Sequence, residues 1–175
     1  MMNNLSNILK KESIFFSLIL ILALSRLIPH PPNFTPIIAM AIMSNYFFRN
    51  IYSSIAALLF SMLLSDIFIG FYANMVFVYL SLFLMAIIFF KINNRFKVNY
   101  KNLFIYGLFG SILFYLISNF GEWVLGDLYA KNLEGLINCY ILAIPFFKNT
   151  LFSTIFFSYI SLITGTCINR FLIKI

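Results

Sequence analysis

Apolar residues along the chain come in long unbroken runs separated by short polar or proline-rich breaks. The runs cover 14–28, 34–48, 51–71, 75–90 and 103–120, then a short one at 135–147 and a last at 150–168. Runs of this length, without the alternation of a half-buried strand, predict helices that are apolar all round. The run 135–147 contains Asn138 and Pro145, and its length suits a re-entrant or interfacial segment better than a full span. Thr35 reads as an N-cap with Pro36 at the first helical position. A second helix over 36–48 would be about 20 Å long, short of a hydrocarbon core of about 30 Å. The pattern therefore predicts an all-α, polytopic membrane protein with a single transmembrane domain over 1–175. Its six transmembrane helices fall at about 14–28, 36–48, 51–71, 75–90, 103–120 and 150–168, with a re-entrant or interfacial segment between helices 5 and 6.

Composition agrees with that pattern. The 175 residues are 62% hydrophobic and 10% charged, with mean hydropathy +0.97, whereas a soluble domain is about 25% charged. Soluble enzymes, nucleic-acid modules and disordered linkers are excluded, and membrane lipid becomes the first partner. The net charge of +7 then reads as orientation, because basic residues gather on the cytoplasmic side of spans. With the N-terminus inside, six spans place Lys10, Lys11, Arg49, Lys91, Arg95, Lys97, Lys101, Arg170 and Lys174 in the cytoplasm, and Arg26, Lys131 and Lys148 outside. A seven-span arrangement divides the twelve basic residues 8 to 4, a weaker asymmetry. Both termini are thus expected in the cytoplasm. The first run resembles a signal peptide cleaved near Ser25, but Arg26, Leu27 and Ile28 continue it, so it is read as helix 1.

Small residues recur at four-residue spacing: Ser53, Ala57, Ser61 and Ser65 on helix 3, Gly107 and Ser111 on helix 5, and Thr150, Thr154 and Ser158, then Ser161 and Gly165, on helix 6. Such lines let helices approach closely in lipid and are expected to pack inside the bundle. Cys139 and Cys167 read as packing residues. His30 lies between prolines with no Cys or acid at ligand spacing, and no nucleophile–base pair, phosphate loop or zinc motif is present. No enzyme activity, cofactor or metal is expected.

Irregular backbone at membrane depth survives where it is buried in protein or lines a cavity. Two segments qualify, Pro29-His30-Pro31-Pro32-Asn33-Phe34-Thr35-Pro36 and the stretch 119–149, which includes an Asn149 placed to cap helix 6. Both fall on the outer side, with Arg26, Asp66, Glu122, Asp127, Lys131 and Glu134. Arg26 and Asp66 lie inside apolar runs, where charges face a cavity or each other, and they are expected to pair; snorkelling of Arg26 to headgroups is the alternative. Trp123, Tyr129 and Tyr140 fit an interfacial belt or a stacking surface.

Residues 25–36, Ser25-Arg26-Leu27-Ile28 followed by the proline-rich motif, closely resemble the opening of a bacterial family of uncharacterised small membrane proteins. That family is similar to the substrate-binding (S) components of energy-coupling-factor (ECF) transporters. Ser65-Asp66, Gly70-Phe71, Val78-Tyr79, Ser118-Asn119-Phe120-Gly121 with Trp123, Gly126, Tyr129, Gly135-Leu136, Cys139-Tyr140, Ala143 to Phe147 and Asn149-Thr150-Leu151 match in order. The resemblance implies an S-component-like fold with substrate near the outer face of the bacterial inner membrane. It also implies a transmembrane coupling protein with ATPase subunits as partner. The chain departs from the family at Ser44-Asn45 and Ser153-Thr154, and helix 1 offers Ala23 alone where S components carry an Ala-xxx-Ala docking pattern. A stand-alone transporter or a different partner stays open.

The expected function is substrate binding for a small-molecule, vitamin- or micronutrient-like uptake transporter. The alternative is a non-transporting membrane protein that binds or assembles a partner complex. The expected substrate-binding residues are Arg26, Asn33, Thr35, Asp66, Asn119, Glu122 and Trp123. Arg26 and Asp66 would orient or gate, the loop polar groups would hydrogen-bond the ligand, and Trp123 would stack on it. Neither identity nor charge of the ligand follows, since helix dipole ends favour anions while the loop acids favour cations.

Overall fold

The computed structural model describes residues 2–48, 50–95 and 98–173. It holds α1 (Met2–Leu24), a 3-10 turn at Ser25–Leu27, α2 (Ile37–Phe47), α3 (Ile51–Ile69), α4 (Met75–Arg95), α5 (Tyr100–Leu125) and α6 (Leu133–Ile173). Asn side chains start three of these helices, α3, α5 and α6. Asn50 accepts from the Tyr52 amide at 3.0 Å and Asn99 from the Asn102 amide at 2.8 Å, each satisfying one orphan donor of a first turn. Gly70 ends α3 at φ +103°, a conformation that excludes most side chains.

Among the described residues, α3, α4, α5 and α6 are long and apolar enough to cross a membrane. Their outward surfaces expose Ile67, Phe68, Val76, Ile105 and Phe152, apolar area suited to lipid rather than water. The shortest helix, α2, is the centre of the fold. Every residue from Ile37 to Ser44 is buried, and α2 packs against all five other helices. Its 11 residues span about 16 Å, roughly half a hydrocarbon core.

The lines of small residues face the interior, with Ala57, Ser61 and Ser65 of α3 buried together with Thr154, Ser158 and Ser161 of α6. On α3 the line shifts by one residue at its start: Ser54, not Ser53, is buried and donates to Ser44 of α2 at 2.8 Å.

Two expectations are corrected. Residues 135–147 form neither a separate re-entrant nor a separate interfacial element; they are the first part of α6, which runs 41 residues through Pro145, about 60 Å in all. The polar break that divided the two runs, Lys148-Asn149, lies inside this helix. Asn149 therefore does not cap a helix but donates to the Pro32 carbonyl at 2.8 Å. The start falls instead at Asn132, whose Oδ1 accepts from the Gly135 amide at 2.8 Å. Thr35 is likewise not the cap of α2. Pro36 holds the N-cap position without a side-chain cap bond, and its carbonyl accepts from Met40 at 2.9 Å.

Candidate functional site

At the end of the bundle where α1, α3 and α5 finish, the helices enclose a cavity of about 630 Å³. Three groups of residues build most of it, and Ile69, Tyr72, Asn74 and Val78 around the α3–α4 loop, with Leu128 and Tyr129 after α5, complete it. The loop between α1 and α2 supplies His30, Asn33 and Thr35, with Arg26 just before it and Ile37 and Ile38 just after. From α5 come Phe114, Tyr115, Ser118, Asn119 and Glu122, spaced i, i+1, i+4, i+5 and i+8 as one helix face requires. Cys139, Ala143, Phe146 and Thr150 repeat that geometry on α6.

Arg26 is anchored from beneath. Its Nη1 lies 2.7 Å from Asp66 Oδ1, with the two side chains 8% and 0% exposed. The same nitrogen donates to Ser65 Oγ at 2.6 Å and approaches Met62 Sδ at 3.5 Å. Its hydrogens point to those groups, so the contact with Oδ1 is Coulombic rather than an aligned hydrogen bond. Tyr79 donates its hydroxyl to Asp66 Oδ2 at 2.8 Å. A buried charge is tolerated when it is paired and hydrogen-bonded, and Asp66 meets both conditions. In the α3–α4 loop the Tyr72 phenol is pushed above its ordinary value, by burial first and then by the charge of Asp66.

The two irregular segments meet at the cavity and are held there. Asn33 takes a positive φ of 60°, which Asn tolerates better than most residues. The Pro31 carbonyl accepts from the Phe34 amide at 2.9 Å, and Asn149 ties Pro32 to α6. Tyr115 and Tyr140 cross-link α5 to α6: Tyr115 donates to the Tyr140 carbonyl at 2.5 Å, and Tyr140 to the Leu116 carbonyl at 2.7 Å. In the α5–α6 turn, Lys131 caps the end of α5 by donating to the Trp123 and Gly126 carbonyls.

The model of a protein family described as of unknown function, DUF6580, matches residues 6–170, nearly the whole chain. The chain belongs to that family. No curated protein and no solved structure matches it.

In this DUF6580 protein the structure brings together Arg26, Asn33, Thr35, Asn119 and Glu122 as cavity lining. Asp66 stands behind Arg26 and does not itself line the space. Trp123 does not join them. Its indole N–H donates to the Ala130 carbonyl at 3.0 Å and its ring packs on Phe120, because one residue beyond Glu122 the helix has turned about 100° away. Asp127 and Glu134 are exposed and outside the lining.

Several lining residues escaped sequence reasoning, among them Tyr72, Asn74, Tyr115, Cys139, Phe146 and Phe147. The i, i+4, i+7, i+11 spacing of residues 139, 143, 146 and 150 was the available signal, hidden by breaking α6 at Lys148. Cys139 is buried, with Sγ 3.4 Å from the Asn119 carbonyl. Cys167 is exposed. Among the described residues, no three His, Cys, Asp or Glu side chains cluster as a metal site.

Proposed function

We propose that this protein is a non-enzymatic membrane component that binds a small molecule at the outer face of the bacterial cell membrane for uptake. The observation that carries this reading is the cavity: about 630 Å³, lined by both irregular segments and by polar groups from three elements. That volume lies within the range of small-molecule sites. Short or interrupted hydrophobic segments mark the binding sites of transporters, and α2 with its preceding loop has that form. On this reading all six helices cross or enter the bilayer with both termini cytoplasmic. Lys10, Lys11, Lys91, Arg95, Lys101 and Arg170 then lie in the halves of their helices away from the cavity, the side that positive-inside bias favours; Arg49, Lys97 and Lys174 lie outside the described residues.

The motif resemblance extends the proposal to an ECF S-component-like role, with a vitamin- or micronutrient-like substrate and a transmembrane coupling protein with ATPase subunits as partner. Without an Ala-xxx-Ala line in α1, any such coupling would use a different docking surface.

Native mass spectrometry of protein purified from its own membranes tests the binding role. A retained small molecule is expected, and it should be lost from Asn33→Ala and Asn119→Ala variants that remain folded. Ligand-free protein that also moves no solute after reconstitution would refute the proposal.

A further inference from the structure

We propose that the cavity selects a small organic cation, with the Glu122 carboxylate as its counter-charge. The inference rests on the binding role above and adds the sign of the ligand.

Three lining residues bear on charge: Arg26, His30 and Glu122. Arg26 is already answered by Asp66 at 2.7 Å. His30 is exposed and turns Nδ1 to the Pro31 carbonyl, 2.9 Å away. Among the described residues, the Glu122 side chain has no ion-pair or hydrogen-bond partner. Lys131, the nearest basic residue in sequence, keeps its charge but lies outside the lining, with its ammonium turned to the Trp123 and Gly126 carbonyls. The local fold makes room for the carboxylate, since a Cβ at Gly126 would lie 2.6 Å from Glu122 Oε1. The start of α2 opposes this with about half a positive charge, against one full negative charge on Glu122.

The walls point the same way. Tyr72, Phe114, Tyr115, Tyr129, Phe146 and Phe147 all line the cavity, and aromatic faces attract cations and repel anions. A bare metal ion is a poor occupant of so large a space, because no cluster of three His, Cys, Asp or Glu exists among the described residues. An ammonium or similar group on a flat or apolar framework satisfies both the carboxylate and the rings.

The test uses two probes with one indole framework and opposite charge, tryptamine and indole-3-propionate. Equilibrium binding to the full chain in nanodiscs is measured at pH 7, with empty nanodiscs subtracted. Tryptamine should bind the parent protein at least about tenfold more tightly, a difference of about 1.4 kcal/mol. Glu122→Gln should abolish the preference and Glu122→Lys should reverse it. Equal or tighter binding of indole-3-propionate by the parent protein overturns the assignment, and that comparison needs no variant. So does a preference that Glu122→Gln leaves intact, or the failure of both probes to saturate. The binding role is judged separately, by the small molecule carried through purification and its dependence on Asn33 and Asn119.

Discussion

Removing either member of the Arg26–Asp66 pair should cost far more than the pair is worth. At 2.7 Å and an effective dielectric of about 20, the gross attraction is about 6 kcal/mol. Desolvation costs several kcal/mol for each buried ion and offsets most of that gain. The net contribution of the intact pair is therefore small. Arg26→Met leaves Asp66 fully buried without its counter-ion, with the Tyr79 hydroxyl as its remaining hydrogen-bond donor. Asp66→Asn keeps an acceptor for Tyr79 but strands the guanidinium. Each single variant should lose about 3–5 kcal/mol. The double variant strands no charge, so its loss should be smaller than that of either single variant and fall short of the sum by about 3 kcal/mol or more. Denaturant titration of the detergent-solubilised protein, run on all four members of the cycle, reads these values. Additive losses would mean that Arg26 is solvated by headgroups rather than by Asp66, and the anchoring argument would fail.

Gly126→Ala should destabilise by about 1–3 kcal/mol, as overpacking does, because its Cβ meets both the Glu122 carbonyl and Oε1 at 2.6 Å; thermal unfolding checks the cost and tryptamine binding the displaced carboxylate. Reporter fusions at residue 96 and at the C-terminus should read cytoplasmic, while one within 128–133 should read external. Tyr72 titrates above its ordinary value, so its contribution is complete below about pH 10 and is lost as pH rises through the folded value. Stability should therefore not vary through Tyr72 between pH 6 and 9, and Tyr72→Phe should reduce the loss seen on melting above about pH 10. Asn149→Ala should leave the Pro32 carbonyl unpaired, at about 0.5–1.5 kcal/mol, and should speed amide hydrogen exchange in 33–35 more than in α5.

The helical class and the crowding of polar groups at one end were legible because hydrocarbon-length apolar runs leave little else to build. The Arg26–Asp66 contact was legible for a related reason: two opposite charges inside apolar runs have few other ways to be satisfied. Other features depend on tertiary partners and were not. Hydropathy breaks α6 at Lys148-Asn149, yet the helix continues because Asn149 finds a carbonyl across the bundle. Trp123 was assigned to the ligand on its chemistry, but its N–H had a nearer acceptor in the turn that follows, at Ala130. The sign of the site was equally hidden. Six charged residues fall near one face in the sequence, and only the structure separates Arg26 and Glu122, which line the cavity, from Asp66, Asp127, Lys131 and Glu134, which do not.

The cavity itself follows from unequal helix lengths. With 11 residues in α2 against 26 in α5 and 41 in α6, the central helix spans about 16 Å while its neighbours continue past it. Beyond Ile37 the space that a full-length helix would fill is closed over by residues 28–36 instead. An irregular strap at that depth must satisfy its own backbone, and the Phe34 and Asn149 hydrogen bonds do so at Pro31 and Pro32. Among the described residues, the Asn33 amide and the Thr35 hydroxyl make no hydrogen bond, although both line the space. The proline-rich loop thus has two of its carbonyls held by protein donors, one from α6, and leaves two side-chain groups uncommitted. Lengthening α2 by a turn, with the loop replaced by helix-forming residues, would fill the void with apolar side chains. The bundle would gain packing and lose the polar cavity.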